Sequence, residues 1–225
     1  MSAPHWSLRG FEDALVRGPL PDGPLDPFGA WVQRWRIHRL RYAVEHMGVD
    51  EAGWLTLTRQ PAPDGGFTLD VEQRLTLIRG AQLTRAAMRC AVDPLGTVQD
   101  WTVDTVTLDA AGDPEPLTHL TLRSPPGATP TCSSWSLMEA VQRIPEVGEQ
   151  GLRFEMLEEL VVRRPEQRLL FEGAAVWETG SGTRWLMGYR RVGVAAPPVF
   201  YWVDEDGRVL LVASVGRLLV AEEPT

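Results

Sequence analysis

The chain has 225 residues, 44% hydrophobic and 23% charged, an ordinary globular mix that can bury a sizeable core without a metal or a disulfide framework. Its formal net charge of −8, from 30 acidic and 22 basic residues, repels phosphate backbones and argues against a nucleic-acid partner. No apolar run approaches the roughly 20 residues that span a bilayer, so no transmembrane segment is expected.

All 22 basic residues are arginine, which reads as codon bias. Only the run Arg34, Arg36, Arg39, Arg41 is dense enough to suggest an anion-binding surface. The N-terminus lacks the apolar core of a signal peptide. As written, the chain is expected in the cytoplasm; removal of an export signal would place it in the periplasm instead.

Residues 1–30 are rich in Gly and Pro and read as an arm without strands. Phe11, Leu15 and Val16 suit one helical turn docked on the body. Residues 31–225 read as a single β domain. Period-two alternation is expected from about Ile37, with Leu40, Tyr42 and Val44 on one face, and continues through Leu55 and Leu57. The clearest strand runs over 67–77: Phe67, Leu69, Val71, Leu75 and Leu77 share one face, and Gln73 alone interrupts it. In 97–109 the apolar parity changes after Val103, so a β-bulge is expected near Asp104–Thr105.

One helix is predicted over 134–144, with Ser133, Ser134 or Ser136 as its cap. Leu137, Met138, Ala140, Val141 and Ile144 form its apolar side; Ser136, Glu139, Gln142 and Arg143 form its polar side. So short a helix is marginal alone in water and must lie on a sheet. Strands then resume. Phe154 and Met156 share a face on which Glu158 is an intruder, and a bulge returning Glu158 to solvent is expected. Leu169, Phe171, Ala175 and Trp177 form the next apolar face, followed by Trp185, Met187 and Tyr189. The last hairpin turns at Asp206-Gly207, and both its faces are apolar and should be covered.

The fold class is therefore mainly β (α+β): a long curved antiparallel sheet, a half-barrel or open barrel, wrapped around one central helix. Tyr42-Ala-Val-Glu with Gly48, Gly53-Trp-Leu-Thr-Leu, the long strand from Phe67 and the crossing helix carry a resemblance. In this element order the chain resembles the half-barrel of bacterial lipoprotein carriers and related uncharacterised periplasmic domains. What the resemblance implies is the curved half-barrel itself.

The four histidines show no metal spacing, and no cofactor is expected. Cys90 and Cys132 are too few for a disulfide scaffold and read as buried free thiols. No nucleophile elbow, Walker loop or dinucleotide fingerprint is present. Glu155, Glu158, Glu159, Asp100 and Asp104 are candidates for acid–base pairs, though solvation explains most of them. Nine tryptophans read chiefly as core, Trp177 and Trp185 among them.

The leading expectation is non-catalytic binding of a hydrophobic or lipid-like molecule between sheet and helix. The residues expected to line that space are Phe67, Leu69, Val71, Leu75, Trp135, Met138, Phe154, Met156, Phe171 and Trp177. The alternative is a structural or interaction subunit with a protein partner. The third reading is a glycan-binding module or hydrolase.

Overall fold

The computed structural model describes residues 23–42, 47–78, 80–109, 111–123, 129–144, 150–179 and 182–222. The helical turn expected at Phe11–Val16, together with Val44 and His46, lies outside them. In chain order the elements are β1 (Trp31–Tyr42), β2 (Met47–Pro61), β3 (Phe67–Leu77), β4 (Gly80–Cys90), β5 (Val98–Leu108), β6 (Pro114–Arg123) and β7 (Thr131–Ser133). The helix α1 (Ser134–Ala140) follows, then β8 (Leu152–Glu158), β9 (Val162–Thr179), β10 (Gly182–Gly193), β11 (Ala196–Asp204), β12 (Val209–Ser214) and β13 (Arg217–Glu222).

All strands join one 13-stranded sheet in the order β6-β5-β4-β3-β2-β1-β13-β12-β11-β10-β9-β8-β7. Two meanders are thus stitched together where β1 pairs antiparallel with β13, Trp35 opposite Ala221. Every neighbouring pair is antiparallel except β7 with β8. Long twisted strands make the sheet coil until β7, at one end, reaches β4 and the β4–β5 turn. Ser133 Oγ donates to Met88 Sδ on β4 at 3.1 Å, and Cys132 Sγ donates to Leu95 O at 3.3 Å.

That curl puts sheet on more than one side of α1, so its polar side is buried too: Ser136, Glu139 and Gln142 lie inside with Leu137 and Met138. The helix is shorter than 134–144. Beyond Ala140 the chain tightens into turns, with Gln142 N bonded to Glu139 O and Arg143 N to Ala140 O. Ser133 is the cap, in a reciprocal box with Ser136, an arrangement worth about 1 kcal/mol.

Alternation sets the concave lining. Leu55 and Leu57 on β2, Phe67 and Leu69 on β3, and Met88 on β4 face inward and are buried. Burying each such side chain contributes about 1.5–3 kcal/mol. The β11–β12 hairpin is covered on both faces, as Tyr201 to Asp204 and Val209 to Val212 are all buried, and a further hairpin strand, β13, follows it. The β11–β12 turn falls at Gly207, whose φ of 81° suits a residue without Cβ. Residues 23–30 run along the rim beside it: Leu25 N donates to Asp206 O at 3.0 Å, and Arg208 Nη2 donates to Gly23 O at 3.0 Å.

Three register shifts differ from the sequence expectation. Near Thr105 the ladder does shift, but the extra residue is Leu117 on β6, so β5 keeps its parity. Beside Glu158 the extra residue lies on β9, where Phe154 faces Gln167 and Met156 faces Arg164. β8 therefore keeps its parity, and Glu158 stays on the side of Met156. On β9, Glu172 is the extra residue: Tyr189 faces Phe171, whereas Gly188 faces Gly173. Beyond it Ala175 pairs with Leu186 and Trp177 with Arg184, which puts Trp177 on the convex side, opposite Phe171. There Trp177, Leu186, Trp202 and Leu211 form a second buried apolar layer. Trp185, read from sequence as core, is 60% exposed, because it projects past the covered part of β10.

Candidate functional site

The space between α1 and the concave face is mostly full. Phe67, Leu69, Val71, Phe154 and Met156 are buried in one continuous core with Trp135 and Met138. Leu75 and Phe171 pack against that core and are partly buried. Phe171 meets Tyr189 edge to face at 5.6 Å. Trp177 is buried on the opposite face of the sheet.

The helix is fixed in this space by polar contacts as well as packing. Glu139 accepts from Arg59 Nε at 2.8 Å and from Arg143 Nε at 2.7 Å. Arg59 also lies over the Phe67 ring at 4.4 Å, and its Nη1 donates to Phe28 O and Gly29 O. Gln33 Nε2 donates to Gln142 Oε1 at 2.6 Å, and the Tyr189 hydroxyl donates to Ile144 O. Ser134 Oγ accepts from Glu159 N at 3.2 Å.

A half-open cavity of about 120 Å³ lies between α1 and residues of β2, β3, β8 and β10 to β13. Of the ten residues expected to line a ligand space, Trp135 and Met138 border it. Its wall also includes the apolar Leu55, Val212 and Leu219 and the polar Glu158, Glu159, Arg191, Arg217 and Tyr201. Burial pushes the Tyr201 phenol up to about 12, with the charge of Glu158 acting in the same direction and Arg191 opposing. The hydroxyl therefore keeps its proton at neutral pH and can donate.

The sequence reading singled out neither Arg217 nor Tyr201 nor Arg191. Arg191 sits two residues after Tyr189 on the same inward parity, which is the signal that marks it. It is 2% exposed. Its Nη2 donates to Pro197 O at 2.8 Å, and its Nε has no hydrogen-bond partner. Glu158 on the same wall is held by Arg164 at 3.0 Å, and Glu159 by Arg217 at 3.4 Å.

The carboxylates read as acid–base candidates are likewise engaged. Glu155 pairs with Arg163, and Asp104 pairs with His119. Among the described residues, no three of His, Cys, Asp and Glu gather as a metal site. No helix among them is long and apolar enough to cross a membrane. Two wider depressions over β2 to β6 are open troughs, one lined largely by Thr, Asp, Glu and Arg side chains and the other also by Ala87, Met88 and Trp101.

No family model matches the chain, and no curated protein matches it. Among solved structures it is similar to a β-barrel-like protein of the domain of unknown function DUF1849 from Brucella abortus. The two share 9% identity over 87% of this chain and 95% of that one, with a TM-score of 0.48. The architecture of this chain is β-barrel-like on its own strand order: a long curved open sheet closed over one short helix.

Proposed function

We propose that the chain is a non-catalytic binding protein for a small amphipathic, lipid-like molecule, held in the half-open cavity between α1 and the concave face. The observation that carries this reading is the cavity itself: about 120 Å³, lined by both apolar and polar side chains, against a buried apolar core. Binding sites of this kind combine an apolar lining with a few placed polar groups. The resemblance in element order to the half-barrel of lipoprotein carriers points the same way. A site this small encloses one short chain or ring. For comparison, a dry cavity of about 150 Å³ holds one benzene.

Calorimetric titration with straight-chain alcohols and acids of increasing length tests it. The expected result is binding that improves to medium length and then levels off, and that is lost in Met138→Trp, which fills the cavity. If no member binds more tightly than about 1 mM, the reading falls.

A second reading, an interaction subunit, is favoured by a different observation. Among the described residues β6 ends the sheet with β5 as its sole neighbour, leaving a strand edge open to pairing by another chain. Light scattering of the purified chain with β6 intact and with Thr121→Pro separates the two. A monomer in both cases removes support for this edge as a self-association site.

A further inference from the structure

We infer that the cavity receives an anionic head group, a carboxylate, on the guanidinium of Arg191. This rests on the binding reading above and gives the ligand its chemical class: a small monocarboxylic acid with a short apolar body. Three observations lead there. Arg191 is almost wholly buried, at 2% exposed, and borders the cavity. Its visible bond is to a neutral acceptor, Pro197 O, and its Nε is left over. Among the described residues no carboxylate stands within ion-pair distance of it, and the two acids on the same wall are each matched to another arginine.

A buried charge is ordinarily paired, because desolvating it alone is destabilising. A guanidinium also cannot shed its proton to escape that cost. The missing partner is therefore best supplied from outside, and a planar carboxylate matches the fork of donors. The Tyr201 phenol on the same wall is a neutral donor and adds to the pull on an anion. Trp135, Met138 and Val212 offer the apolar body its contact surface. The half-open mouth lets the far end of the ligand reach solvent.

The test compares hexanoate with 1-hexanol on the full chain by calorimetric titration, and repeats both with Arg191→Gln and Arg191→Lys. The expected result is hexanoate at least about tenfold tighter than hexanol on the wild type. That preference should vanish in Arg191→Gln and survive in part in Arg191→Lys. Equal binding of acid and alcohol by the wild type overturns the assignment to Arg191 while leaving the cavity reading intact. Failure of both to bind overturns the cavity reading and this inference with it. The wild-type comparison needs no variant, so a misfolded Arg191→Gln does not shield the inference. Circular dichroism of each variant identifies that case.

Discussion

Arg59 of β2 and Glu139 of α1, 80 residues apart in the chain, meet at 2.8 Å with side chains 1% and 0% exposed. Together with Arg143 this makes a buried Arg–Glu–Arg cluster that fixes the helix to the concave face. Charges taken out of water tolerate the loss of a partner poorly. Arg59→Met is expected to lower stability by about 3–5 kcal/mol in urea unfolding. Arg85→Met, which breaks the exposed pair with Glu72 at 3.1 Å, is expected to cost under about 1 kcal/mol. Equal costs for the two variants would show that the cluster does not anchor α1.

Gly188 of β10 carries the Trp202 ring on the convex side. A Cβ placed there would come within 2.5 Å of ring carbons. The indole is buried, as is Leu186 on the same face. Gly188→Ala is expected to destabilise by about 1–3 kcal/mol, read from the thermal midpoint. A midpoint unchanged from wild type would mean that the ring moves freely and that the convex layer is loosely packed.

Asp204 begins the β11–β12 turn, and its Oδ1 accepts from Asp206 N at 3.1 Å and Arg208 N at 2.8 Å. Burial pushes its carboxyl above the ordinary carboxylate value, against the opposing effect of the Arg208 backbone bond. Between the ordinary and the raised value the folded chain holds more proton than the unfolded one. Stability from this group is therefore present at low pH and lost as pH rises through that window. Asp204→Asn keeps the Oδ1 acceptor and does not titrate. Calorimetric midpoints from about pH 3.5 to 7 should show the variant gaining on the wild type as pH rises. A constant difference would refute the shift.

Cys90 and Cys132 are free and buried, and burial pushes both thiols well above their ordinary value. Only the thiolate reacts. A disulfide-exchange reagent at about pH 8 should find neither thiol in the native protein and both after denaturation. Prompt labelling of the native chain would contradict the packing of β7 against the β4–β5 turn.

Period-two alternation by itself determined β3 and its concave face, because side-chain direction along a strand depends only on position in the chain, while turn chemistry marked Asp206-Gly207 and helical spacing marked the one short helix; β4, β6, β7 and β13 were not legible in it. Which face a residue finally takes also depends on which strand of a pair carries an extra residue, and that is a property of pairs. Glu172 sends Trp177 to the convex side, while the extra residue near Glu158 sits in β9 and leaves Glu158 facing the cavity. Glu139 looked solvated on a helical wheel, yet the curl of the sheet buries it, since closure brings strands distant in sequence around both sides of α1. Arg191 was legible as an arginine on an inward parity. That it lacks an ion-pair partner was decided by tertiary packing, because charge pairing is set in space and leaves no periodic trace in the sequence.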